Sequence, residues 1–342
     1  MEAALAGQGE RLQKQVATAI RTLLAHACVQ ADIPPDAVTS AVVTGNTAML
    51  YLLWGMDPCS LTRAPFQAEH LFGEMRPVAG RQVYVPRCLH GFVGADTTCA
   101  LLVSGMLDRA ETALLCDMGT NGELALWHGG RLYVTSTAAG PAFEGAGISC
   151  GCAGVRGAID RVDLVNGRLY PHVIGGGTPV GLCGSGLISA LAGMLELGIM
   201  DAQGTIPSLG VTIAPGVMLT QADIRSAQLA KAAIAAGIGC LLDAAGCTSA
   251  DVTRLYLAGG FGSGVSMHHA VRIGLIPAAL AGKVQVIGNA ALDGAAMLLL
   301  DQGLITATER IANAAQHISL GGSADFAEKY VQAMLFPEEE EA

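Results

Sequence analysis

The chain has 342 residues, a formal net charge of -10 at pH 7, 51% hydrophobic residues and only 14% charged ones. That length holds one large domain or two of ordinary size, and an acidic balance without a basic run argues against a nucleic-acid partner gripped through its phosphates. No apolar run in the sequence approaches the ~20 residues that a membrane-spanning helix needs, so a soluble protein with no membrane partner is expected.

The opening, MEAALAGQGERLQKQ, lacks the basic and apolar regions of a secretory signal, which gives the cytoplasm as the expected compartment. Ten cysteines are then kept reduced, and most sit in apolar segments such as LLAHACVQ and TTCALL as small buried hydrophobes. The 45 glycines cluster at strand ends and point to turns and ligand loops.

In chain order, GERLQKQVATAIRTLLAHACVQADI predicts a first helix, with Val16, Ile20, Leu23 and Leu24 on one side and a stop near Pro34. VTSAVVTGNTAML reads as a buried strand ending at Gly45 and Asn46, and QVYVPRCLHGFVGAD as another strand before the helix TTCALLVSGML. Ala113 to Leu126 and Arg131 to Thr137 form a hairpin turning twice around glycines. The glycine-rich stretch AAGPAFEGAGISCGCAGVRGAID follows, then a helix after CGSG, a long helix from Gln221 through Leu242, the strand RLYLAGGFG, a helix near His269, and VQVIGNA before ALDGAAMLLL. The alternation predicts an α/β protein. The expected divisions are 1–110, 111–335 and an acidic tail, 336–342, that frays in solvent.

Two glycine turns in the second half carry chemistry. In LLCDMGTNGELAL, a carboxylate at Asp117 can hold a hydrated magnesium ion, which takes only one or two protein carboxylates. Backbone N–H groups after Gly119, with the Thr120 hydroxyl, can bind phosphate oxygens. Taken alone, the same residues serve equally well as a glycine-stabilised hairpin with a capping acid. The second turn, at Gly259 and Gly260, has no side chains, so a purine or its ribose can approach the backbone; close strand-to-helix packing would also want glycine there. Two such turns in this order describe a nucleotide site.

At these residues the chain resembles the superfamily that joins acetate and sugar kinases, actin and the large heat-shock chaperones. CDMGTNGELAL looks like its second phosphate motif, with Gly119, Thr120, Asn121 and Gly122, and LYLAGGFGSGV like its adenosine motif, with Gly259, Gly260 and Gly262. Within it the chain is similar to the C-terminal domain of the reductive activators of corrinoid proteins. VVTGNTAM, GFVGADTTCALL, DMGTNGEL, STAAGPAFEGAGISCG, CGSGLISALAGMLELGIMD, LAGGFGSGVSMHHAVRIGLIP, GNAALDGA and YVQAMLFP carry that likeness along nearly the whole chain.

The resemblance implies an actin-like, ribonuclease H-like duplicated fold (ASKHA) with its first half truncated. The family's first phosphate motif, an Asp-x-Gly-Thr-Thr turn ahead of the first helix, has no counterpart in this sequence. The expected consequence is an open sheet edge that a neighbouring chain, such as the second copy of a homodimer, would cover. A fragment of a longer product is favoured over a shortened protein, because such an edge is costly. The family's ferredoxin-like cysteine spacing for a [2Fe–2S] cluster is also not found, so no iron–sulfur cluster is expected here and a separate ferredoxin-like donor is implied.

The resemblance further implies ATP or ADP with magnesium as ligands and a Co(II) corrinoid protein, methyltransferase-associated or iron–sulfur, as partner. Asp117 and Asp96 are the expected catalytic carboxylates, with Asp117 on the metal; capping the helix that follows it is an equal reading for Asp96. The STAAGPAFEGAG loop, through Ser136, Thr137 and Glu144, is the expected docking face, and Glu144 is alternatively hydrogen-bonded structure. Cys150 and Cys152 are the one closely spaced pair and read as buried thiols; Cys152 departs from the family's pattern. A cluster bridged between two subunits, as in the activators of radical dehydratases, does not match their spacing. His268 and His269 read as surface residues. Three functions follow in order: an ATP-driven activator whose nucleotide changes the angle between its halves, a small-molecule kinase, and a docking module without catalysis.

Overall fold

The computed structural model describes residues 2–64, 66–78, 80–259 and 264–338. They divide into two compact units: the first ends at Arg109 and takes back Asn289–His317, and the second holds Ala110–Gly288 and resumes at Ile318.

In the first unit, α1 (Gly9–Ala31) ends where Asp32 turns left-handed and its N–H bonds back to the Cys28 and Val29 carbonyls. Strand β1 (Ser40–Val42) leads to α2 (Thr47–Trp54), whose first turn is capped by the Asn46 side chain accepting from the Met49 N–H. Strands β2 (Glu74–Val78) and β3 (Arg81–Val85) form a hairpin, and β1 adds to it in parallel, giving the order β1-β3-β2. Leu50, Tyr51, Leu53, Val83 and Val85 make the core of this unit, each worth ~1.5–3 kcal/mol by burial alone when large and aliphatic or aromatic.

Helix α3 (Ala95–Ser104) follows. Its N-cap is Gly94, and Asp96 sits inside the first turn with its carboxylate accepting the Thr97 N–H at 2.9 Å.

The second unit is built on a sheet. Strands β4 (Ala113–Met118), β5 (Gly122–His128) and β6 (Arg131–Thr137) run antiparallel. Next come β7 (Ala158–Val165), β8 (Arg168–Val173) and β9 (Gly181–Leu182), in the order β8-β7-β9, then α4 (Gly184–Glu196) and the hairpin β10 (Gly210–Ala214) with β11 (Val217–Thr220). Helix α5 (Gln221–Ala245) precedes β12 (Arg254–Ala258), α6 (Met267–Arg272) and β13 (Val284–Gly288). Within the unit the main sheet runs β13-β12-β4-β5-β6, with β13, β12 and β4 parallel. Their carboxyl ends lie on one side, where open α/β sheets hold ligands.

Helix α5 rides directly on that sheet. A Cβ at Gly237 would come within 2.5 Å of Thr137 Cγ2 and 2.7 Å of Leu124 Cδ1, so only glycine allows the helix this close. By length and hydropathy α5 would suffice to cross a membrane, contrary to the reading of the sequence, but most of it is buried inside this unit. Its long apolar stretch is core.

Two segments fall elsewhere than the sequence places them. Helices α7 (Ala290–Leu300) and α8 (Ile305–Ala314) belong to the first unit, where α7 packs on α3. Gly294 makes that contact: a Cβ there would lie 2.5 Å from the Cys99 carbonyl oxygen. The last helix, α9 (Ala324–Met334), lies against α5, and residues 335–337 after it are gripped. Lys231 Nζ donates to the Ala333 and Leu335 carbonyls at 2.6 Å each, Gln228 to Met334 at 2.8 Å and Arg272 to Pro337 at 2.8 Å. Phe336, assigned to the acidic tail by its sequence position, is 2% exposed in the core; residues 339–342 lie outside the described residues.

Candidate functional site

Asp117 stands next to last in β4, level with Ala258 at the end of β12. One residue on, Gly259 has φ of 87° and its N–H donates to the Gly288 carbonyl at 2.8 Å. A Cβ on Gly259 would lie 2.7 Å from Asp117 Oδ1. The glycine is therefore required twice, by a left-handed backbone and by the nearness of the carboxylate. Gly260 and Gly262, the rest of this turn, lie outside the described residues.

The β4–β5 connection is Gly119, Thr120 and Asn121, between the paired Met118 and Gly122. Gly119 N–H donates to the Asn121 carbonyl at 3.2 Å. Gly122 is buried, and a Cβ there would meet Thr137 Oγ1 at 2.7 Å. Thr120 is exposed, and its two donors are engaged: the N–H donates to Glu144 Oε1 at 3.2 Å and the hydroxyl to Glu144 Oε2. The Gly140 N–H donates to the Thr120 carbonyl at 2.8 Å. The glycine-rich loop after β6 is thus folded back on the turn, and Glu144 is hydrogen-bonded to it.

That loop is anchored from below by Asp223. Its carboxylate accepts the Ser149 N–H and hydroxyl at 2.6 Å each, and the Thr220 N–H and hydroxyl at 2.8 and 2.7 Å. Burial alone would raise this carboxyl, but the bonds from Ser149 and Thr220 outweigh it and hold it below the ordinary carboxylate range. Thr220 and Asp223 also form the capping box that starts α5.

Asp117, Gly119, Glu144 and Gly259 line one cavity of about 490 Å³. The first turn of α4 joins them there through Cys183, Gly184 and Ser185, and Asp160 and Cys152 complete part of the wall. Among the described residues no side chain caps that helix start, which leaves its first N–H groups and positive dipole end for a ligand. The sequence reading passes over Ser185 and Asp160. A Gly-Ser-Gly run opening a helix was the available cue for the first; Asp160, paired with His172 at 2.6 Å in a half-exposed strand, gave none.

The other expected residues are placed as follows. Thr137 is buried and its hydroxyl donates to the Gly122 carbonyl at 3.3 Å, so its side chain is spent inside the unit, while Ser136 is partly exposed. Asn121 is exposed at the turn. Asp96 belongs to the first unit, and burial raises its carboxyl against the lowering effect of the backbone N–H bonds it accepts. His268 is exposed and His269 partly so, at the Ser266-capped start of α6. Among the described residues no group of three or more His, Cys, Asp or Glu is placed to hold a metal ion. A hydrated cation on the one carboxylate of Asp117 would not need such a group.

Residues 111–342 match the C-terminal domain of RACo, the ASKHA domain, and residues 1–109 match the RACo middle region. The corrinoid activation enzyme RamQ of Eubacterium limosum is 34% identical over 97% of this chain and 62% of its own length. The [Co(II) methylated amine-specific corrinoid protein] reductase of Methanosarcina barkeri is 31% identical over 78% of this chain and 53% of its own length. The solved structure of a reductive activator for corrinoid,iron-sulfur protein superposes with a TM-score of 0.87 at 30% identity, covering 96% of this chain and 57% of that one. The chain therefore spans little more than half the length of these relatives. With its ASKHA domain matched over 111–342 and its middle region over 1–109, this chain belongs to the RACo family of reductive activators of corrinoid proteins.

Proposed function

We propose that this chain is the ATP-binding part of an activator that returns an inactive Co(II) corrinoid protein to Co(I) in the cytoplasm. The observation that carries the reading is the convergence of Asp117, the Gly119 turn, Gly259 and the uncapped start of α4 on one cavity. A carboxylate, backbone donors, a surface without side chains and a helix N-terminus are the parts a magnesium nucleotide needs. Asp117 would hold magnesium, which supplies charge neutralisation for the phosphates. Gly119 and Gly259 leave room for phosphate and adenosine, and the α4 N–H groups face the anion.

Binding energy is then used to change conformation. An activator shifts its partner only by binding one redox state better than the other, because differential affinity alone moves an equilibrium. The exposed part of the loop, with Pro141, Glu144 and Gly147 at the surface and Ser136 at its base, is the face for the corrinoid partner. A separate ferredoxin-like protein supplies the electron, and a second copy of the chain is the neighbour for a homodimer. The relatives RamQ, a corrinoid activation enzyme, and the corrinoid protein reductase support the reaction class.

Calorimetric titration with Mg-ATP and with ADP tests the reading. Magnesium-dependent binding that Asp117→Ala weakens is expected, followed by ATP turnover stimulated by a Co(II) corrinoid protein. Absence of binding by the folded chain would overturn it. The docking module without turnover is the second reading, favoured by one contact: the carboxylate of Glu144 already occupies the donors of Thr120.

A further inference from the structure

The segment after the glycine-rich loop runs briefly beside β9. Gly151 bridges Leu182 in parallel, with the Cys152 N–H donating to the Leu182 carbonyl at 2.9 Å and the Leu182 N–H to the Cys150 carbonyl at 2.8 Å. One residue further along each side stands a cysteine, Cys152 and Cys183. Residues level with each other in a parallel ladder point to the same face. Neighbouring strands run ~4.8 Å apart, inside the roughly 4.4–6.8 Å between Cα atoms that a disulfide spans.

The surroundings leave the two thiols room to meet. Gly181, two residues before Cys183, lies under the Cys152 side chain, and a Cβ there would sit 3.1 Å from Cys152 Sγ. Among the described residues Cys183 Sγ is held by Ser185 Oγ at 3.3 Å. Both cysteines are free, and both line the 490 Å³ cavity, which gives small reagents access.

We propose that Cys152 and Cys183 are a redox-responsive thiol pair on the wall of this cavity, joined by hydroperoxide-class oxidants into a disulfide that ties the glycine-rich loop to the start of α4. In the first step the Cys152 sulfur attacks a peroxide oxygen, the O–O bond breaks, and a sulfenic acid and one water result. The Cys183 sulfur then attacks the sulfenic sulfur, the S–O bond breaks, and a second water leaves. The two sulfurs give up two electrons, hydrogen peroxide takes them, and the thiol protons leave in the waters.

Burial also raises the Cys152 thiol, and three other thiols sit in more enclosed surroundings. Cys88 and Cys99 are buried in the first unit, where burial pushes both thiols up to about 12. Cys150 packs against the core, and burial followed by the charge of Asp223 pushes it up to about 11. A thiolate is the attacking species, so these positions react more slowly. The pair does not depend on what the cavity holds; that a bound nucleotide would cover it rests on the reading given above.

The test uses the full chain, reduced, freed of reductant and exposed to hydrogen peroxide, then read by intact mass and by peptide mapping without reduction. One cross-link between the Cys152 and Cys183 peptides is expected, with the loss of two hydrogen masses per chain and full reversal by dithiothreitol. In Cys183→Ser, Cys152 should instead remain a sulfenic acid that dimedone traps. A link between Cys150 and Cys152, or over-oxidation of single cysteines without any link, would overturn the pair. A parallel arm with Mg-ATP addresses the occupant. Slower cross-linking supports the nucleotide reading, and an unslowed cross-link counts against that reading while still establishing the pair.

Discussion

Two hairpin turns in one sheet use glycine for opposite reasons. The β5–β6 turn is Gly129 and Gly130, with φ of 57° and 77°, both open to solvent with nothing within 4 Å of an added Cβ. Two left-handed residues between paired strands make an ordinary tight turn, and glycine there serves the backbone. The β4–β5 turn needs no left-handed residue at Gly119 or Gly122. Its glycines serve space: a Cβ at Gly122 would meet Thr137, and one at Gly119 would lie 3.3 Å from Glu144 Oε1. A glycine kept where the backbone does not require it marks a surface that something else must approach.

The sharpest way to break this contrast is at Asp117. Removing the Asp117 carboxylate should leave the fold intact, because the residue is partly exposed at a strand end. Mg-ATP affinity should fall by about 10- to 100-fold, from roughly 1.5–3 kcal/mol for an interaction with a charged group. Calorimetry of Asp117→Ala reads this directly, and an unchanged affinity in a folded variant would remove Asp117 from the site.

Next in size is the anchor of the loop that covers the functional turn. Asp223→Asn should lower stability by about 1–3 kcal/mol at neutral pH, since charged acceptors of buried bonds are costly to lose. The sign with pH follows from the lowered carboxyl of Asp223. Its stabilisation is present above the unfolded value of ~3.9 and is lost as pH falls through the lower folded value. Urea unfolding of both proteins at pH 7 and near pH 3 should therefore show the gap between them narrowing in acid; a constant gap would mean that the carboxylate charge is not what holds Ser149.

The plain turn supplies the control. Gly130→Ala places a Cβ on a left-handed residue and should cost about 1–2 kcal/mol of stability, with nucleotide affinity unchanged. Gly119→Ala should do the reverse, with little change in stability and weaker binding. Equal behaviour of the two variants in both measurements would erase the distinction between the turns.

The same distinction shows how far the sequence could be read. Strands β4, β5, β6 and β12 are legible because their buried runs are bounded by glycine, and α4 and α5 because their apolar positions recur at helical spacing. Strand β8 alternates between partly and fully exposed, so its pattern lacks a buried face to detect. The segment of α7 is visible in the sequence and that of α8 is not singled out, and their return to the first unit depends on contacts such as Gly294 with Cys99, almost two hundred residues apart in sequence, which no local pattern encodes. Phe336 is hidden by its acidic neighbours and revealed by Lys231, which lies far upstream. At the site, Asp117, Gly119 and Gly259 can be picked out by motif. The engagement of Thr120 by Glu144, 24 residues apart with β5 and β6 between them, and the level placement of Cys152 and Cys183 exist only once the chain is folded.

The smallest expected effect concerns that engagement and has the most to say about how the turn works. Glu144 offers Thr120 two carboxylate oxygens, which is what a phosphate would also offer. A phosphate entering at Thr120 must displace the carboxylate or bind beside a like charge, and either raises the cost of binding. Because the pair is exposed, the cost is small. Glu144→Ala should tighten Mg-ATP binding by a few-fold, on the order of 1 kcal/mol or less for an exposed hydrogen-bonded contact. Lower affinity in that variant would mean instead that Glu144 shapes the turn for phosphate and stays with it. The position of Glu144 makes the difference consequential: the residue that holds the donors lies on the exposed loop proposed to meet the corrinoid protein. If the variant binds nucleotide more tightly, a partner that draws this loop away should do the same to the unaltered protein, and nucleotide affinity measured with and without the Co(II) corrinoid protein should differ by a similar factor in the wild type but not in Glu144→Ala.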